Sequence, residues 1–308
     1  MSLAPEIKAF LEAGARAGLP QVWEAPLDVI RRNTQGRTVT SGPVEDVHEV
    51  INRFIPGPTA DLPIRIYRPD NSPESKTIVY FHGGGWVINF LDIYDASLTR
   101  LANQSGATII SVNYQKAPEH PFPIPFDDCY ATLLWVIENA RNLNIDPATI
   151  GVAGDSAGAN LASAVAIKAR DNNIALAFQL LIYPCNDRDF TTDSYLNCAT
   201  GYGLSTQAMQ WFWDQYLQGD HHDDNPYAVP MKAKTFKDIA PAIIITAQYD
   251  PLLSDSHKYV KLLERDGVSV TYKEYAGMIH GFFSNLAVTP TAREAIDFAA
   301  AEIKRLTQ

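Results

Sequence analysis

Cysteine is scarce in this chain of 308 residues, with only Cys129, Cys185 and Cys198 present and widely scattered. Thiols so spaced build neither the disulfide framework of a small secreted module nor a zinc knuckle, and they point to a reducing compartment. A positive excess is also missing. Twenty-five Lys and Arg against 35 Asp and Glu leave a net charge of −10 with no basic cluster to offset it, which argues against nucleic acid as a partner. No stretch approaches the ~20 apolar residues that cross a bilayer, so no membrane anchor is expected. The segment MSLAPEIKAFLEAGARAG mixes acidic and basic residues in an amphipathic pattern without the apolar core of a leader, and a soluble cytoplasmic protein is expected. Internal repeats and low-complexity tracts are absent. The run His221-His222-Asp223-Asp224 has no further His or Cys at ligand spacing, and neighbouring side chains diverge, so it reads as a solvated loop and no metal is expected.

What is present is ample apolar material, 46% of residues, enough for one large core. Residues 3–17 and 26–35 read as two short helices broken by Pro20 and Pro26. Alternation over 44–55 and 62–67 around Pro56-Gly57-Pro58 reads as an antiparallel hairpin at a sheet edge. From Lys76 onward strands and helices alternate: strands at 76–81, 107–112, 149–153, 175–183, 241–247 and 268–275, with helices at 93–105, up to about 142, 157–170, 254–266 and 289–306. Such alternation implies parallel strands with helices on both faces. The pattern stops between Cys185 and Phe236, where the helix 206–217 carries Met209, Trp211, Phe212, Trp213 and Tyr216. So many aromatics exceed what one helix face buries, and this helix is expected to roof an apolar pocket.

The chemistry-bearing stretch is Thr149 to Arg170. A strand that turns into a helix within five residues, Gly154-Asp155-Ser156-Ala157-Gly158, needs almost no side chain two positions either side of its apex, and both positions are glycine. Ser156 then stands at the tip of a nucleophile elbow, with a helix N-terminus behind it. Upstream, His82-Gly83-Gly84-Gly85-Trp86 follows a strand; glycines let backbone N–H groups face a substrate, so Gly84 and Gly85, with Ala157 N–H, are the expected oxyanion donors. His82, Gly83 and Asp155 are expected to shape the loop. Asp250 and His280 each follow a predicted strand, and functional groups of an open α/β sheet gather at those carboxyl ends. The order Ser156, Asp250, His280 is that of an α/β-hydrolase triad. A serine hydroxyl needs a base to take its proton, and the base needs an acid to fix its tautomer. No cofactor is required.

These residues resemble a family, the bacterial hormone-sensitive-lipase-like esterases: HGGGW at 82–86, APEHPFP at 117–123, GDSAG at 154–158, YDPL at 249–252 and GMIHGF at 277–282. The resemblance runs from about residue 40 to the end. It implies an α/β-hydrolase body with a mostly parallel eight-stranded sheet, a helical cap formed from residues 1–43 and 185–236, hydrolysis of short- to medium-chain acyl esters through an acyl-enzyme, and a homodimer through the strand 268–275. Trp86, Trp211, Phe212 and Trp213, with Phe10 and Trp23 from the N-terminal segment, are expected to line a closed apolar pocket. Where the family commonly carries charged residues, this chain has Gln115-Lys116, Gln248 and Leu253-Ser254, and only modest heat stability is expected. A non-catalytic small-ligand receptor on the same fold, or an amide or thioester hydrolase, stays open as an alternative.

Overall fold

The computed structural model describes residues 2–70, 75–219 and 221–308. Its centre is one eight-stranded sheet: β1 (Glu49–Ile55), β2 (Leu62–Arg68), β3 (Ser75–Phe81), β4 (Thr108–Val112), β5 (Ile145–Asp155), β6 (Gln179–Ile182), β7 (Ala242–Tyr249) and β8 (Val270–Ile279). The strands lie in the order β1-β2-β4-β3-β5-β6-β7-β8. β1 and β2 form the expected edge hairpin and β2 runs antiparallel to β4, whereas β3 to β8 are parallel. This is the α/β architecture that the alternating pattern implied.

Two apolar layers flank the sheet, and the period of two along each strand decides which residue joins which. On β3, Val79 and Phe81 enter one layer while Ile78 and Tyr80 enter the other. Helices Ile124–Glu138 and Ala157–Asp171 pack together on the first face, and Asp95–Ser105 packs with Thr291–Leu306 on the second. The chain steps from β3 outward to β4 and then back across to β5, so the sheet reverses its winding between β3 and β5, the position where such sheets open a crevice.

Several boundaries differ from the sequence reading. Only Glu49–Ile55 of the 44–55 segment pairs, and the apolar run 175–183 contributes just Gln179–Ile182. The last strand, expected over 268–275, runs on instead to Ile279, paired to β7 as far as Tyr249↔Ile279 across a register shift. The N-terminal helix Pro5–Ala17 docks on this last strand. Ala4 N–H donates to the Gly277 carbonyl at 3.1 Å, Thr289 Oγ1 donates to Glu6 Oε1 at 2.9 Å, and Ile7 is fully buried. The second expected helix is shorter, Leu27–Asn33, and is followed by a tight turn at Thr34–Arg37.

Candidate active site

Four strands deliver their next residue to one place. β3 ends at Phe81 and is followed by His82, β5 by Ser156, β7 by Asp250 and β8 by His280. The elbow is enforced by crowding: a Cβ on Gly158 would collide with the Phe81 carbonyl, and one on Gly154 with the Gly158 carbonyl, so helix, turn and β3 approach as closely as only glycine permits. Ser156 sits at φ 56° and ψ −122°, a conformation that costs a non-glycine residue on the order of 1–3 kcal/mol. Its N–H donates to the Ile182 carbonyl of β6 at 2.8 Å, which fixes the apex against the neighbouring strand.

Ser156 Oγ lies 2.9 Å from His280 Nε2, and His280 Nδ1–H donates to Asp250 Oδ2 at 2.7 Å. The second oxygen of Asp250 accepts the Leu252 N–H at 2.9 Å, and Asp250 is 1% exposed. A buried carboxylate so bonded holds the imidazole with Nδ1 protonated and Nε2 free to accept the serine proton. The Tyr183 ring packs against His280 with centroids 4.5 Å apart, a support that no sequence motif announced.

The glycine loop is fastened by Asp155. Its carboxylate accepts the Gly83 N–H at 2.8 Å, the Tyr80 hydroxyl at 2.9 Å and the Tyr94 hydroxyl at 3.2 Å, while burial pushes its pKa up against these donors. Asn89 adds a bond to the Gly83 carbonyl at 3.2 Å. His82 is buried, stacked on Tyr114 with centroids 4.5 Å apart, and donates from Nδ1 to the Gly83 carbonyl at 2.8 Å. Burial holds its imidazole neutral, with the pKa brought down to about 3. Gly84 and Gly85 adopt φ of 117° and 57°. Among the described residues, the N–H groups of Gly84, Gly85 and Ala157 meet no protein acceptor, and Ala157 opens the helix behind Ser156.

A cavity of about 70 Å³ sits at this point, lined among others by Gly84, Gly85, Ser156, Phe212, His280 and Arg37. That is well below the ~300–1,000 Å³ of clefts that hold drug-sized ligands. Of the six aromatic candidates only Phe212 reaches it, its ring lying so close over Gly85 that a Cβ there would overlap it. Trp86 is instead core: it stacks on Tyr216 at 4.2 Å and tilts against Trp213 at 4.5 Å. Trp211 packs edge-on against Phe212 at 5.3 Å, and Phe10 and Trp23 pack on the two apolar layers away from the cavity. Further apolar wall comes from Ile88, Leu204 and Met209, of which only Met209 lay on the aromatic-rich helix that composition had marked, and polar wall from Asn89, Tyr94 and Asp155.

The His-Asp run is less solvated than expected. His222 packs edge-on against Phe122 at 4.8 Å, and Asp223 accepts from Arg188 at 2.6 Å. The positions that depart from the family pattern are hydrogen-bonded in other ways, Gln115 with its N–H on the Asp128 carboxylate at 2.8 Å. Gln248 Oε1 accepts the Gly277 N–H at 2.9 Å, tying β7 to β8; Ser254 and Ser194 exchange N–H to Oγ bonds at 3.0 and 3.2 Å; Gln115 Nε2 donates to Thr59 Oγ1 at 2.6 Å.

The family model described as the alpha/beta hydrolase fold matches residues 78–284. This chain belongs to that family. Among its relatives, the hydrolase is 38% identical over 253 residues to carboxylesterase NlhH of Mycobacterium tuberculosis, covering 80% of this chain and 78% of that one. It is 31% identical over 309 residues to an ethyl acetate hydrolase of Pseudomonas putida, covering 96% of each. Among solved structures, an ester-hydrolase from the metagenome of Lake Arreo, bound to a bipyridine phosphonate derivative, matches with a TM-score of 0.95 at 36% identity over 98% of both chains. These relatives fit the resemblance to hormone-sensitive-lipase-like esterases drawn from the motifs.

Proposed function

We propose that this carboxylic ester hydrolase cleaves short- to medium-chain acyl esters with Ser156 as nucleophile, His280 as base and then acid, and Asp250 as the group that orients and stabilises the imidazolium. The observation that carries the reading is the relay of 2.9 and 2.7 Å from Ser156 through His280 to Asp250. As Oγ attacks the ester carbonyl, its proton passes to Nε2, and the carbonyl oxygen becomes an anion received by the N–H groups of Gly84, Gly85 and Ala157. Donors of this kind are worth about 3 kcal/mol each in the transition state. Collapse expels the alcohol, protonated by His280, and leaves an acyl-serine that water hydrolyses by the same proton path. His82, Gly83 and Asp155 keep the glycine loop in register. The small cavity under Phe212 supports a preference for short acyl groups.

The helical segments within 1–43 and 185–236 are read as a cap, since Arg37, Leu204, Met209 and Phe212 come from them to the cavity wall. A homodimer through 268–275 is supported by the place of β8 at the end of the sheet, and light scattering tests it. The three buried free thiols fit a cytoplasmic location, which fractionation tests. The central experiment is labelling with an active-site-directed phosphonate. The protein is expected to react and the Ser156→Ala variant to stay unmodified; an unlabelled wild type overturns the reading.

A further inference from the structure

One wall of the reaction cavity carries a charge that the ester reaction does not call for. Arg37 reaches it from the tight turn Thr34–Arg37, and its Nη2 would lie 3.5 Å from a Cβ placed on Gly281, the residue after His280. Its backbone is pinned there: the Arg37 carbonyl accepts the hydroxyls of Thr40 at 2.9 Å and Ser41 at 3.0 Å, and Ser41 Oγ also bonds the Ile93 carbonyl at 2.7 Å. Among the described residues the side chain makes one hydrogen bond, a long one of 3.4 Å from Nη1 to Asn89 Oδ1, and no carboxylate pairs with it. Among the described residues Arg16, Arg53, Arg141 and Arg293 also hold no carboxylate, but of these unpaired arginines Arg37 alone lines the cavity, whereas the half-buried Arg31, Arg65, Arg100 and Arg188 all hold carboxylates at 2.6–2.8 Å. The two carboxylates of the site are not available to Arg37. Asp155 is occupied by three donors and Asp250 by His280 and the Leu252 N–H.

A guanidinium presents its donors as a planar fork that fits a carboxylate in two parallel bonds, and a partly desolvated one gains most from an anion that enters with the substrate. We infer that Arg37 is a specificity-determining residue that selects esters carrying a carboxylate, held beside His280 while the ester carbonyl meets Ser156. This deepens the ester-hydrolase reading and rests on it. The cavity of about 70 Å³ limits the substrate to a small half-ester or a small acyl ester of an acidic alcohol.

The test compares isosteric pairs: 3-acetoxybenzoate with 3-acetoxybenzamide for a carboxylate on the alcohol side, and monomethyl succinate with methyl succinamate for one on the acyl side. The readout is the ratio of kcat/KM, anionic over neutral, whatever a variant does to the neutral ester alone. In the wild type the ratio is expected above one for at least one pair. Arg37→Gln should lower that ratio about ten- to a hundredfold, as a charge-assisted hydrogen bond does, and Arg37→Glu should lower it further. Arg37→Lys keeps the charge without the fork and should fall between. A wild-type ratio at or below one for both pairs, or a ratio that Arg37→Gln leaves unmoved, overturns the inference. A second measurement is independent of any Arg37 variant folding: the Ser156→Ala protein should bind 3-acetoxybenzoate more tightly than the amide by calorimetry, and equal binding counts against the inference. Failure of the esterase reading looks different, since then neither neutral ester is hydrolysed and no phosphonate label forms.

Discussion

The strand ends of the sheet and the segments that lie before β1 and between β6 and β7 build the same cavity in different ways. On the sheet, Ser156, Asp250 and His280 each occupy the first position after a strand, and their backbones are fixed by the ladder or by a strand-to-strand bond such as Ser156 N–H to Ile182 O. In the other segments, Arg37, Leu204, Met209 and Phe212 come from a tight turn, a loop and a helix outside the sheet ladder, placed by side-chain packing and side-chain hydrogen bonds such as those of Thr40 and Ser41 to the Arg37 carbonyl. The geometry that bond-making demands is held by hydrogen-bonded backbone, and the walls that choose a substrate are held by contacts that substitution can shift. The proposed reaction and the proposed substrate range therefore rest on different parts of the molecule.

Removing a group from the sheet side should cost the most. Ser156→Ala is expected to lower kcat by about 10⁶, the scale seen when a seryl nucleophile is removed, with the unfolding temperature little changed because alanine keeps the same Cβ at the same strained apex. Retention of substantial turnover would move the nucleophile elsewhere and dissolve the comparison. Asp250→Asn should cost about 10⁴, because an amide at that position favours the imidazole tautomer with the wrong nitrogen protonated. A loss of less than about tenfold, read from kcat against a neutral ester, would show that His280 is oriented chiefly by Tyr183 and not by the acid.

The third prediction concerns support of the glycine loop. His82 is neutral in the folded protein with its pKa lowered from 6.5 to about 3, so its share of stability is present above pH 6.5 and is lost as pH falls toward 3. Between pH 7.5 and 5 the wild type should lose about 2 kcal/mol more than His82→Gln, which has nothing to protonate there. Parallel denaturation profiles for the two proteins would remove His82 from the acid response. The smallest effect is expected on the covering side. Phe212→Ala should raise the ratio of kcat/KM for octanoate over acetate esters about tenfold, the scale of a methylene's worth of pocket space, with the reaction itself intact. A chain-length profile identical to wild type would place the acyl limit elsewhere.

How far the sequence reading reached follows the same division. The elbow, the glycine loop and the order of Ser156, Asp250 and His280 were legible because each is a local consequence of a strand ending: a short apolar run, then a residue that only a sharp turn or an exposed functional group explains. The architecture was legible for the same reason, since the alternation of strand and helix is a local pattern repeated. The cavity walls were not. Trp86 and Trp213 looked like lining because they are large, yet stacking on and around Tyr216 buries them in the core, and no window of sequence holds both Trp86 and Tyr216. Arg37 and Tyr183 carried no signal of composition or spacing, because their importance comes from which distant loop they meet. The extension of β8 past Gly277 was hidden too, since it depends on pairing with β7 and on the bond from Gly277 to Gln248.

The docking of Ala4 on Gly277 and of Glu6 on Thr289 has a bearing on how the chain is made. At a synthesis rate of ~5–20 residues per second, Gly277 leaves the ribosome roughly 15–55 seconds after Ala4. Throughout that interval the apolar face of Pro5–Ala17, with its buried residue Ile7, has no strand to rest on and stays open to chaperones or to stray contacts with neighbouring nascent chains. This helix is translated well before the strand that shelters it, so production of this enzyme should be more sensitive to chaperone supply than its finished fold suggests.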